Sequence, residues 1–187
     1  ATAERLKKAY PKIPLGFQAE GDVLMARNQL DKAQKAYEEA MSRQGTTQLV
    51  LVMSELHQRA GRPDQALATY TDWLGKHPED LRARFAYGSQ LQQQGKAALA
   101  VSEYLKVMEK EPKNLVALNN LVWLLQESGD ARARDYAEKL AALEPQLPEI
   151  QDTLGWVLVQ QNQTERGLLY LEKANSAAPK VPEIRYH

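Results

Sequence analysis

The chain has 187 residues in which 24 Lys and Arg balance 24 Asp and Glu, so no net charge draws it to nucleic acid or to an anionic membrane. It is 43% hydrophobic and contains no Cys, a globular composition that excludes disulfides and thiolate chemistry. No apolar run approaches the ~20 residues of a membrane-spanning helix, and the abundance of Ala, Leu and Gln beside only two Phe favours helix over sheet.

Taken in chain order, residues 2–13 (TAERLKKAY, closed by Pro11) read as the trailing helix of a two-helix unit whose first helix is absent. A repeat then sets in. Pro78, Pro112 and Pro145 each close an apolar-periodic helix at spacings of 34 and 33 residues, and Gly45 stands where the preceding proline would fall. Midway through each unit comes a residue tolerant of positive φ: Asn28, Gly61, Gly95, Gly129 and Asn162, spaced 33, 34, 34 and 33. Each unit therefore predicts helix, turn, helix, and five units fit at 14–46, 47–80, 81–114, 115–147 and 148–181. Residues 182–187 (PEIRYH), in phase with PEI at 148–150, read as the opening of a sixth unit cut short, so the chain is expected to be a piece of a longer array.

Chemistry-bearing patterns are few. His57, His77 and His187 share no metal-ligand spacing, and no Walker loop, G-x-S-x-G or G-x-G-x-x-G occurs, so neither catalysis, a cofactor nor a metal is expected. His57 reads as a core or half-buried histidine and His77 as a solvated turn residue. Lys7 and Lys8 with Lys12 form the one local basic cluster, too little for a phosphate track, and nucleic acid is not an expected partner.

The repeat resembles the tetratricopeptide repeat (TPR). Gly21, Gly88 and Gly155 occupy its eighth position, Ala33, Ala66, Ala100 and Ala133 its twentieth, Tyr37, Tyr70 and Tyr104 its twenty-fourth, and Ala40 and Ala174 its twenty-seventh. Ser54 and Val122 stand in for Gly, Gly167 for Ala, and Trp73 fills a twenty-seventh position that is usually small; local repacking is the expected consequence. The resemblance implies an all-α, right-handed α-solenoid of about five units that acts as a non-catalytic protein-interaction scaffold. It further implies a concave groove lined by the first helix of each unit, in which a protein or peptide docks. Carried onto this chain, the groove positions are Arg82, Phe85, Ser89 and Gln92, then Asn119, Asn120, Trp123 and Gln126, then Asp152, Trp156 and Gln160.

Trp123 and Trp156 lie 33 residues apart, one repeat, both at the ninth position. They are expected to be partly buried with one edge toward the groove. Of the residues that clamp a terminal carboxylate in some TPR proteins, Asn120 alone has a match, so that mode is not expected. A polysaccharide-associated scaffold that binds glycan directly through the groove aromatics and amides, or a structural spacer with an empty groove, are the alternatives to a protein ligand.

The carboxy-terminal stretches ALNNLVWLLQESGDARARDYAEKLAALEP and DTLGWVLVQQNQTERGLLYLEKANSAAP, with PEIRYH, are similar to the large TPR proteins of bacterial PEP-CTERM/exosortase systems, a likeness covering roughly residues 76–187. That resemblance implies a fragment of a Gram-negative envelope protein, periplasmic or outer-membrane-associated and lipid-anchored at full length, linked to exopolysaccharide production and surface-protein sorting. A cytoplasmic TPR protein is the alternative.

Overall fold

The computed structural model describes residues 2–178. The proposed opening of a sixth unit at 182–187 lies outside them. The described residues are helical apart from short turns and fall into two compact bodies, one ending at Lys96 and the other beginning at Ala97.

The first body contains α1 (Thr2–Ala9), α2 (Leu15–Ala26), α3 (Leu30–Arg43), α4 (Thr47–Arg59), α5 (Pro63–Lys76) and α6 (Leu81–Gln93). The second contains α7 (Ala97–Lys110), α8 (Leu115–Glu127), α9 (Arg132–Leu143), α10 (Pro148–Gln160) and α11 (Thr164–Ala177). Sequence-adjacent helices pack on one another: α2 on α3 and α4 on α5 in the first body, α8 on α9 and α10 on α11 in the second.

The turns follow from the residues picked out by period. Asn28, Gly61, Gly95, Gly129 and Asn162 all have φ between 56° and 70°. In every case the next residue donates its backbone N–H to the carbonyl five positions back: Gln29 to Leu24, Arg62 to His57, Lys96 to Leu91, Asp130 to Leu125 and Gln163 to Leu158, all at 2.8–2.9 Å. This is the Schellman closure, which satisfies carbonyls that a helix end otherwise leaves bare. At the opposite ends, Thr46, Asp80 and Asn114 accept from the backbone N–H groups of Leu49, Ala83 and Ala117, while Pro63 and Pro148 open α5 and α10 in the first helical turn.

Small residues set how closely paired helices approach. A Cβ on Gly21 would lie 2.4 Å from the ring of Tyr37, which is 1% exposed and donates its hydroxyl to Asp22 Oδ1 at 2.8 Å. Burial first, and then the Asp22 carboxylate, push the ionisation of Tyr37 far above the ordinary phenol value. The departures from the repeat pattern use the same close approach. Ser54 in place of Gly donates its hydroxyl to the Ala66 carbonyl at 3.2 Å. Gly167 in place of Ala brings its Cα beside the Gly155 carbonyl, where a Cβ would stand 2.6 Å from that oxygen. Around these crossings the apolar faces close into cores: Met25, Ala33, Tyr37, Ala40, Leu49 and Leu56 in the first body, and Leu118, Leu121, Leu125, Leu140, Leu154 and Leu158 in the second.

Asp80 ties three elements of the first body together. Besides capping α6, its Oδ2 accepts from Thr47 at 2.6 Å and from Trp73 Nε1 at 2.7 Å. Burial alone would raise its pKa, but the hydrogen bonds from Thr47, the Ala83 amide, Trp73 and the Arg82 amide outweigh that and hold the carboxyl below its usual value.

Two stability tests follow. Alanine at Gly21 gains about 1 kcal/mol of helix propensity but incurs an overpacking cost of about 1–3 kcal/mol against the buried tyrosine, so urea denaturation should show a net loss. The same change at Gly75, where a Cβ meets nothing within 4 Å, should stabilise by up to about 1 kcal/mol. Equal shifts at the two sites would show that the crossing is not tight. The second test concerns Asp80→Ala, which should cost about 1–2 kcal/mol at neutral pH. Because the folded carboxyl has the lower pKa, its contribution is present above the unfolded value and is lost as pH falls through the folded one. The gap between wild type and variant should therefore narrow on acidification below about pH 4; a constant gap would refute the ionised hub.

Candidate functional site

The residues assigned to a groove lie in both bodies. In the first, Arg82 at the start of α6 is exposed, and its Nη2 donates to Gln48 Oε1 of α4 at 3.1 Å. These are second positions one repeat apart, so successive first helices stand side by side. Phe85, Ser89 and Gln92 follow along α6, each half-buried.

The second body carries the more exposed face. Along α8, Val116 is 60% exposed, Asn119 is exposed and Trp123 is 53% exposed. Steps of three and four residues put them on one stripe of the helix. The sole ionisable side chain of α8 is Glu127 at its end, so the stripe is apolar and amide in character. Asn120 borders the stripe and is held from below: its Nδ2 donates to the hydroxyl of Tyr104, which is fully buried. Gln126 is half-buried one turn on.

On α10, one repeat later, Trp156 is half-buried and Gln160 is exposed. The two tryptophans thus differ: Trp156 shows the mixed burial expected from its register, whereas Trp123 presents most of its indole. Asp152 departs from the expectation. It is 6% exposed, as is its neighbour Gln151 at 3%. Glu149 in the same turn is exposed, so burial on α10 sets in at Gln151 and takes in a side chain assigned to the open face.

A second concavity lies in the first body and was not expected from the sequence. Between α3, α4 and α5 a cavity of about 690 Å³ opens, walled by Met41, Val50, Met53, His57, Ala68 and Trp73. At 100° per residue, Val50, Met53 and His57 lie roughly opposite Gln48, Leu51 and Glu55, the second, fifth and ninth positions of the repeat at 47–80, so this cavity and the groove-side positions are on different sides of α4. His57 is 7% exposed, as its reading as a core histidine implies, yet its Nδ1 has no hydrogen-bond partner among the described residues. Burial, and then the Arg62 cation, lower its pKa and keep the ring neutral. His77 is not simply a solvated turn residue: it stacks on the Trp73 indole with centroids 3.8 Å apart. The available sign of this cavity was Trp73 itself, a large ring at a normally small position, coupled to Gly45, whose Cβ would meet that ring at 2.7 Å.

Among the described residues there is no group of three or more His, Cys, Asp or Glu able to hold a metal ion, and no helix long and apolar enough to cross a membrane.

The tetratricopeptide repeat family model matches residues 51–114. The chain is 26% identical over 162 residues to a TPR repeat-containing protein of Pseudomonas aeruginosa, covering 84% of this chain and 28% of that one. It is 28% identical over 145 residues to the "Probable biofilm formation methyltransferase WspC" of Pseudomonas putida, covering 75% of this chain and 34% of that one. The chain thus spans about a third or less of these curated relatives. Among solved structures, YrrB, described as a TPR protein with an unusual peptide-binding site, superposes with a TM-score of 0.77 at 14% identity, covering 100% of this chain and 97% of that one. MamA superposes with a TM-score of 0.73 at 15% identity over 93% of this chain and 95% of that chain. Helix pairs, turn chemistry and matches agree on the fold: the described residues have the all-helical fold of tetratricopeptide-repeat solenoids, and residues 51–114 match that family's model.

Proposed function

We propose that the chain is a protein-binding scaffold whose first-helix faces dock a partner peptide or helix, with the α8 stripe of Val116, Asn119 and Trp123 as the principal contact. The observation that carries this reading is Trp123, a large apolar side chain left 53% exposed beside an exposed asparagine on a helix whose other face, from Ala117 to Leu125, is buried in the core. Exposed indoles of this kind are characteristic anchors of protein interfaces, and amides beside them can satisfy a partner's backbone. The peptide-binding site named for YrrB, a protein of the same fold, supports a peptide as the kind of ligand.

We assign the scaffold to a larger Gram-negative envelope protein linked to exopolysaccharide production and surface-protein sorting, on the periplasmic or outer-membrane side. The carboxy-terminal likeness to PEP-CTERM/exosortase TPR proteins supports this, as does a relative whose name refers to biofilm formation. Glycan contact through the same indole and amides is the second reading, since an exposed aromatic face flanked by amides suits a sugar as well.

The test places a photo-crosslinking residue at Asn119 and irradiates the chain with envelope and cytosolic fractions of its source cells. A discrete protein adduct from the envelope fraction, lost in Trp123→Ala, is expected. That variant should retain its stability within about 1 kcal/mol, because the indole is largely solvated, while losing about tenfold or more in affinity. A protease-resistant glycan adduct would transfer the site to polysaccharide, a cytosolic partner would overturn the envelope assignment, and no adduct at unchanged fold would leave a spacer.

A further inference from the structure

The exposed stripe of α8 has a charge environment that narrows what can dock on it. No Lys, Arg or His occurs between Asn114 and Ala131 or between Leu140 and Glu165, the stretches that hold α8 and α10. The chain as a whole balances 24 cations against 24 anions, so this is segregation and not composition. Among the described residues, the cations of the second body stand on α7, α9 and α11, apart from Lys113 in the turn before α8. Those that follow the ends of α8 and α10 are already engaged, Arg132 with Asp130 at 2.7 Å and Arg166 with Glu138 at 3.1 Å. Lys113 is remote from the indole: even the first residue of α8 is about 12 Å along the axis from Trp123, beyond the screening length of about 8 Å at physiological salt.

Two groups on this cation-free face point to the same ligand. Val116, Asn119 and Trp123 are followed one turn on by Glu127, which is exposed and at 100° per residue lies about 40° around the helix from Trp123. Its carboxylate has no ion-pair or hydrogen-bond partner among the described residues. Its place runs against the local rule, because the last turn of a helix repels an acid and favours a cation, yet α8 has no basic residue in that turn. Glu149, in the first turn of α10, stands where the helix dipole favours an acid and needs no ligand to account for it. The indole points the same way as Glu127. Elsewhere the chain sets its own cations over half-buried rings: the Arg43 guanidinium lies 3.6 Å from the centroid of Phe17 and the Lys139 ammonium 4.8 Å from that of Tyr136. Trp123 has the ring best suited to such a contact and is 53% exposed, but none of the described cations lies over it. Side chains four apart on a helix are neighbours, with Cβ atoms about 5–6 Å apart, and a cation is held within about 6 Å of a ring centroid. A single guanidinium from outside can therefore lie on the Trp123 ring and reach the Glu127 carboxylate.

We propose that the partner segment taken by the α8 stripe is basic, with an arginine or lysine seated on the Trp123 indole and paired to Glu127. The inference rests on the stripe being a protein-docking surface and names the chemistry of what docks there. One repeat on, α10 adds the exposed carboxylate of Glu149 to the same field, which disfavours an anionic polymer in place of a basic peptide.

The probes are acetyl-Ala-Leu-Arg-Ala-Ala-Arg-Leu-Ala-amide and the same peptide with both Arg replaced by Gln or by Glu, titrated into the whole chain with NMR detection of the indole N–H resonances of its three tryptophans. The Arg peptide should shift the Trp123 indole saturably and leave Trp73 unmoved. The Gln peptide should bind more weakly and the Glu peptide not at all. Affinity for the Arg peptide should fall roughly two- to fivefold in Glu127→Gln, for one exposed ion pair, and should fall in the wild type as salt is raised. Glu127→Lys should turn the preference toward the Glu peptide. Glu109→Gln, which removes an exposed carboxylate from α7, should bind as wild type does. The inference is overturned if the Gln or Glu peptide matches the Arg peptide in affinity, if Glu127→Gln changes nothing, or if none of the three shifts Trp123. Whether the stripe is a docking surface at all is judged separately, by the Asn119 crosslink and its loss in Trp123→Ala, which hold for a partner of any charge.

Discussion

The close crossing of paired helices is the constraint on which the other features depend. Where Gly21 meets the Tyr37 ring, or Gly155 meets Gly167, there is no room for a methyl group. Such contact fixes the separation and angle of a pair, and dense packing leaves little slack for alternatives. Ser54 shows that the requirement is for close approach and not for glycine as such: its hydroxyl reaches the Ala66 carbonyl and turns the approach into a hydrogen bond. Once pairs are fixed in this way, the face that each first helix turns to its partner is determined.

Much of this was legible because it is local. A Schellman turn needs one residue of positive φ at a set distance from a helix end, and period alone identified all five. The glycine and alanine positions announced the crossings for the same reason. The groove assignments were legible only as a face. Register placed Trp123 and Trp156 alike, yet one is mostly solvated and the other half-covered, because exposure depends on what the next helix brings alongside. Asp152 shows the same limit, buried despite its position in the repeat. The cavity was least legible of all. It is defined by volume left between α3 and α5, and no single residue encodes an absence.

The departures from the repeat pattern are where the chain becomes individual. Trp73 replaces a small residue, and the surrounding structure is arranged around it: Gly45 removes a clash, Asp80 accepts the indole N–H and His77 covers a face. A substitution that would disrupt a tightly packed repeat is accommodated here by a linked set of side chains, and an open trough accompanies it. Individual features of a repeat protein are expected at such positions, where local rules give way and neighbouring residues compensate.

The same indole has an experimental consequence. Of the three tryptophans in the chain, Trp73 is the only one before residue 97. Trp123 and Trp156 both belong to the later body, and with no cysteine in the chain, new thiols could be placed as labels without competition. Intrinsic fluorescence thus divides naturally along the boundary at Lys96, with one emitter hydrogen-bonded and ring-stacked on one side and a largely hydrated one among the pair on the other. The loss of each body's structure can be followed optically in an unlabelled molecule, which makes it possible to ask whether the two halves melt as one or in sequence.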